Sequence, residues 1–273
     1  MTRILVALVS LWFAHPAWAE TSPLQAMMTG NDSKGWEGVG RLNIGGEVMC
    51  TGSLISETLV LTAAHCLFKP GTGERYADSS IEFLAGWRGG RASAYRSVRR
   101  SLVNPKYDFH GADTTRRVSH DIAILELDQP IRKSSVTPFE IGERPRKGAE
   151  VGVVSYAKDR AERPSIQETC KVLARQRGAL VLNCDVDRGS SGSPVFVLEA
   201  GEVRIVSVVS AKAHAGDLPV SLATGLQDAI DGMLAEIATT DGMFTHVQAK
   251  PLPQVVKREG GAAGSAKFVR PDG

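Results

Sequence analysis

The 273-residue chain has no apolar run long enough to cross a bilayer. Ile4 to Phe13, broken only by Ser10, is half of the ~20 residues a membrane helix needs. A dominant charge is missing too: 32 Lys and Arg against 30 Asp and Glu leave a formal +2, too little to imply a nucleic-acid partner. Cysteines number four and none forms a CxxC pair, which argues against a metal site. Between Gly86 and Tyr107 acids are absent altogether, while Arg88, Arg91, Arg96, Arg99, Arg100 and Lys106 are present. Arginines on the wet faces of strands and turns account for such a run, and an anion-binding surface is the alternative.

What is there begins with an export signal. Met1-Thr2-Arg3 is a short positive region, the apolar run follows, and Ala17-Trp18-Ala19 puts small residues where a signal peptidase reads. Cleavage after Ala19 is expected, so residues 1–19 are a signal peptide and 20–35 an N-terminal segment. The remainder is expected in the periplasm or outside the cell. An oxidising compartment permits disulfides, and four cysteines allow three pairings. Spacing favours Cys170 with Cys184, closing a short loop ahead of a serine-rich segment.

The rest is rich in strand signals, and 42% apolar residues supply a core. Gly40–Ile44 and Glu47–Ile55 flank Gly45-Gly46, a hairpin signature. Short apolar runs follow at Leu59–Leu61, Ile81–Leu84, Ile122–Leu127, Val151–Tyr156, Leu180–Leu182, Val195–Leu198 and Val203–Ser210. Such spacing, punctuated by Gly and Pro, argues for barrels or a sandwich. Only Leu226, Ile230, Met233, Leu234 and Ile237 recur at helical spacing, predicting a helix over 226–238 that packs on the barrels. Residues 239–273 are rich in Pro, Gly, Ala and Lys, with five bases against two acids from 247 onward, and read as a disordered tail.

Three short strings carry chemistry: Leu61-Thr62-Ala63-Ala64-His65-Cys66, Ser119-His120-Asp121-Ile122-Ala123-Ile124-Leu125, and Asp187-Arg188-Gly189-Ser190-Ser191-Gly192-Ser193-Pro194. Serine is a poor nucleophile unless a base takes its proton, and the base needs a third group to hold it. His65 can be that base, since imidazole titrates near neutral pH. Asp121 leads an apolar strand, where a half-buried carboxylate needs a partner such as His65. His120, one residue away on a strand, should point to the other face. Among Ser190, Ser191 and Ser193, the glycines on either side favour Ser191. Gly189 lets the backbone bend so that the Gly189 and Ser191 amides converge as an oxyanion hole, and Gly192 gives substrate close access. The order His65, Asp121, Ser191 differs from those of α/β-hydrolases and subtilisins.

These residues, between about Trp36 and Ala215, resemble the trypsin-like (chymotrypsin-fold) serine peptidases, most closely the bacterial branch that includes the glutamyl endopeptidases. The resemblance implies an all-β fold: two antiparallel six-stranded barrels with a C-terminal helix and the site in the cleft between them. Within a peptidase domain at 36–238, barrel one would span about 36–130 and barrel two about 138–225, with the crossover near Arg132–Thr137. It also implies a Cys50–Cys66 bridge beside His65. Two departures limit the likeness. Ser190 stands where zymogen-activated members carry an aspartate that pairs with a freed terminal ammonium, and no Ile-Val-Gly-Gly follows a basic site; the oxyanion hole should therefore form without that switch. Asp185 has the spacing of the carboxylate that attracts Arg or Lys in trypsin-like enzymes, but Asp187 replaces a neighbouring cysteine. Asp185 is then either a pocket base, with Ser207 and Ser210 on the opposite wall, or a loop hydrogen-bonding group. An acidic-residue pocket would have only His214 to serve it.

The expectation is a monomeric, exported endopeptidase acting on protein or peptide without metal or organic cofactor. A protease-fold binding protein without turnover and an esterase on the same fold are the alternatives.

Overall fold

A computed structural model describes residues 21–112, 115–227 and 229–240. The expected signal peptide and most of the expected tail lie outside them. The first strand, β1 (Gln25–Ala26), pairs antiparallel with a strand of the second half.

Barrel one is built from β2 (Val39–Ile44), β3 (Val48–Leu54), β4 (Leu59–Thr62), β5 (Ile81–Ala85), β6 (Ala94–Val103) and β7 (Ala123–Leu127). It closes in the order β2-β3-β4-β7-β6-β5. The Gly45-Gly46 signature makes the expected hairpin, with Ile44 opposite Val48. Strand β7 is buried at every position, which suits its nearly unbroken apolar run. Its one acid, Glu126, is held by Arg99 and Arg100 of β6. Arg96 donates to the carbonyls of Gln129 and Pro130, so much of the arginine run serves the wall of the barrel.

Barrel two follows a two-residue strand, β8 (Glu140–Ile141). Its walls are β9 (Glu150–Ser155), β10 (Ser165–Gln176), β11 (Ala179–Leu182), β12 (Pro194–Glu199), β13 (Glu202–Ala215) and β14 (Leu218–Gly225). They close as β9-β10-β11-β14-β13-β12 and back to β9, with β1 and β8 as additions on β10 and β13. The chain is therefore all-β, two closed six-stranded antiparallel barrels, as the resemblance implied. Two α-helices accompany them among the described residues, α1 (Thr115–Val118) and α2 (Ile230–Thr240).

Valines and leucines fill barrel two, including Val151, Val153, Leu180, Leu182, Val195 and Val209. Barrel one's core runs on through Val154, Tyr156, Phe196 and Val208 into Ile230, Met233 and Ile237 of α2, so a continuous apolar cluster joins the halves. The helix begins at Ile230 rather than 226. Leu226 is still buried, but it opens the turn between β14 and the helix, and its carbonyl accepts the Ala229 and Ile230 amides. Strands β6, β10 and β14 escaped the apolar reading: β6 and β10 carry Arg, Lys, Glu, Ser and Thr among their less buried residues, and β14 buries Ser221 and Thr224 while exposing Leu218.

Candidate active site

Strand β4 ends at Thr62, and Ala64–Leu67 turns as one 3-10 turn whose Ala64, Cys66 and Leu67 are buried. His65 is thereby left half-buried at the turn's surface. Cys66 is bonded to Cys50 of β3, so the turn is tied covalently to the adjacent strand. A second bridge, Cys170–Cys184, links β10 to the segment that leads to the serines. Cys50, His65 and Cys66 bring possible ligand atoms together, yet both sulfurs are spent in the disulfide and cannot act as thiolates.

Asp121 lies in the loop between α1 and β7, 3% exposed. Thr224 anchors that loop by donating to the carbonyls of Val118 and Asp121. The carboxylate accepts the His65 backbone N–H at Oδ1 (2.8 Å) and meets His65 Nδ1 at Oδ2 (2.7 Å). Ser210 of β13 also donates to Oδ2. Burial pushes the Asp121 carboxyl up, but the His65 charge and the hydrogen bonds from His65 and Ser210 hold it below the usual carboxylate range. An ionised carboxylate only accepts, so Nδ1 carries the proton and Nε2 presents a lone pair. His120 is not on a strand. It sits in the turn before Asp121, its Nδ1 2.9 Å from the Arg116 carbonyl.

The serine string forms a tight turn in which Ser190 N–H donates to Asp187 O (2.8 Å) and Ser193 N–H to Ser190 O (3.0 Å). Gly189 has φ 98° and Gly192 φ 82°, both in the left-handed region that suits glycine. A Cβ on Gly192 would stand 2.2 Å from both Thr51 O and Thr62 Oγ1. The nucleophile candidate is thus pressed against the end of β4, which leads directly to His65. Ser191 is half-buried, and no hydrogen-bond partner is found for its hydroxyl among the described residues.

Thr51 was not visible as a site residue in the sequence. It is fully buried, its N–H donates to Ser191 O (2.8 Å), and its hydroxyl donates to Gly189 O (3.0 Å) while accepting from the Tyr156 N–H (3.1 Å). Both carbonyls are drawn back toward barrel one. The Gly189 and Ser191 N–H groups have no acceptor among the described residues. The only sequence signal was a polar run, Thr51-Gly52-Ser53, inside a buried strand.

The three pocket candidates do not act together. Asp185 is exposed, and its backbone N–H donates to the side chain of Gln167 (2.7 Å). Ser207 is fully buried and donates to Thr224 O (2.6 Å). Ser210 serves Asp121. His214 is exposed near the end of β13.

Residues 27–231 match the family model described as Trypsin. Coagulation factor IX of Oryctolagus cuniculus is 36% identical over 101 residues, covering 36% of this chain and 33% of that protein. Serine protease 23 of Homo sapiens is 30% identical over 170 residues, covering 54% and 43%. The chain therefore spans less than half the length of these relatives. They are animal proteins and lend no support to the expected bacterial branch with glutamyl endopeptidases. Among the described residues no helix is long and apolar enough to cross a membrane.

Proposed function

Because the chain belongs to the trypsin family, we propose that it is a serine endopeptidase working through His65, Asp121 and Ser191. The observation that carries this reading is the buried Asp121 carboxylate on His65 Nδ1, which fixes the tautomer in which Nε2 can act as a base. Ser191 Oγ attacks the scissile carbonyl carbon as its proton passes to Nε2. The oxyanion is held by the Gly189 and Ser191 N–H groups, whose carbonyls are occupied by Thr51. Collapse expels the amine, which leaves with the Nε2 proton. Water, deprotonated by Nε2, then attacks the ester, and the acid departs with Ser191 restored. Asp121 fixes the imidazole's tautomer and stabilises its charged form throughout.

Asp185, Ser207 and Ser210 were the candidates for the pocket that receives the residue before the cut. The Ser207 and Ser210 hydroxyls are spent on Thr224 O and Asp121, which favours a pocket wall made by the β13 backbone, and Asp185 is taken as a loop residue tied to Gln167 through its backbone N–H. Export through residues 1–19, with release after Ala19, is part of the proposal, supported by the two disulfides. So is action as a monomer on protein or peptide.

The test is labelling by a peptidyl organophosphonate followed by turnover of peptide and ester substrates. The expected result is one covalent adduct on Ser191, none on Ser191→Ala, and cleavage of peptide amides. Failure to label supports a binding protein without turnover, and ester hydrolysis without amide hydrolysis supports an esterase.

A further inference from the structure

Arg160 has no part in the steps above, yet its guanidinium reaches the residue between the two oxyanion donors. It ends a 3-10 turn, Lys158–Arg160, that follows β9. Nη1 donates to Ser155 O (2.5 Å), and Nη2 donates to both Ser155 Oγ (2.9 Å) and Ser190 Oγ (3.2 Å). Ser190 is fully buried, and its hydroxyl has two further partners. It accepts the Asp187 N–H (3.2 Å) and donates to Tyr156 O (3.3 Å). A hydroxyl has one proton and two lone pairs, so every capacity of Ser190 Oγ is used.

The surrounding contacts leave the turn little freedom. A Cβ on Gly189 would lie 3.0 Å from Ala157 Cα, and Lys158 N–H donates to Arg188 O (2.8 Å). The segment 157–160 is thus the floor on which Gly189-Ser190-Ser191 rests, and Arg160 is the side chain that crosses from one to the other. Burial pulls the guanidinium's pKa down, and the carboxylates of Asp159, Asp185 and Asp187 pull it back. The cation is held there by its hydrogen bonds to Ser155 and Ser190. A planar fork of fixed donors suits two acceptors on one residue and a third on another; an ammonium has the charge without that geometry.

We infer that Arg160 is a positioning residue for the oxyanion-binding turn: it holds Ser190, and through it the Gly189 and Ser191 amides, in the orientation the transition state requires. The inference rests on the peptidase reading and deepens it. The cation is part of the chain, so the turn is set when the protein folds.

The test is Arg160→Met in the full chain, measured on a peptide amide, on a peptide boronate that bonds to Ser191 and presents an oxyanion-like oxygen, and on a non-covalent product peptide. An interaction made only in the transition state lowers kcat and leaves KM alone. Loss of one oxyanion donor costs about 10²–10³ in rate, so a loosened pair should lower kcat about 10- to 100-fold. KM should change less than about twofold and boronate affinity should fall with kcat, while product-peptide affinity holds. Arg160→Lys should fall between the two. The assignment is overturned if Arg160→Met keeps kcat within about twofold, or if boronate and product peptide weaken together, as general loosening would give. Should Arg160→Met fail to fold by near-ultraviolet circular dichroism, Arg160→Lys decides alone: reduced kcat at unchanged KM supports the assignment, and unchanged kcat overturns it. A wild-type chain that the organophosphonate does not label refutes the peptidase reading as well; a labelled wild type beside an unimpaired Arg160→Met refutes only the assignment.

Discussion

Replacing Asp121 by Asn separates holding the imidazole from charging it. The two oxygens have different duties: Oδ1 takes the His65 backbone N–H, while Oδ2 takes Nδ1 and the Ser210 hydroxyl. An amide must put its NH2 on one side. Toward the backbone N–H it would set donor against donor in a buried site, costing about 1–3 kcal/mol. Toward Nδ1 it meets a ring nitrogen that can give up its proton and a hydroxyl that can turn to accept. The second arrangement wins, and the fold keeps its hydrogen bonds. Its consequence is the wrong tautomer, with the proton on Nε2 and no base for Ser191. Asp121→Asn should therefore lose about 10⁴ in kcat, or ~5.5 kcal/mol of transition-state stabilisation. Stability at pH 7 should drop by only about 1 kcal/mol, for the lost charge assistance.

The acid limb follows from the same carboxylate. Its pKa in the folded state lies below the ordinary 3.8, so its contribution is present above about pH 4 and is lost as pH falls through the folded value. The Asn variant lacks that dependence, and its unfolding free energy should fall less steeply between about pH 4 and 2. Amide-substrate kinetics, urea unfolding across that range and ¹⁵N spectra of the imidazole check each part. A variant within tenfold of wild-type kcat would refute the reasoning, as would one that keeps the Nδ1–H tautomer.

Two further outcomes follow from the turn and its flank. Gly192→Ala sets a Cβ 2.2 Å from two oxygens at φ 82°, so it should cost more than about 2 kcal/mol and abolish labelling of Ser191; unchanged melting and labelling would mean that the turn yields easily. Asp185→Ala should lower kcat/KM by a similar factor on arginyl and leucyl substrates, as expected of a loop residue tied through its backbone N–H to Gln167; a loss tenfold greater on the arginyl substrate would restore it as the carboxylate that reads basic side chains.

The strings around His65, Asp121 and Ser191 could be read in advance because each demands particular residue types at a strand end or in a tight turn. Strands with one wet face were harder. β10 buries Ser165 and Gln167 as well as apolar residues and carries Glu168, Thr169 and Lys171 between them, so its alternation is diluted. The pocket serines were expected to face substrate, but both hydroxyls are spent on buried acceptors, which only tertiary pairing decides. Thr51 and Arg160 were out of reach for the same reason. Their partners are 138 and 30 residues away in sequence, and no local pattern marks them.

Thr51 has a broader consequence. One buried threonine on the first barrel fastens two carbonyls of the second barrel's turn, and its own carbonyl receives Thr62 at the entrance to the histidine loop. The geometry at Ser191 thus belongs to the seam, and neither barrel could assemble it alone. On the proposed mechanism, any slip of one barrel against the other would pull on both carbonyls through this single threonine.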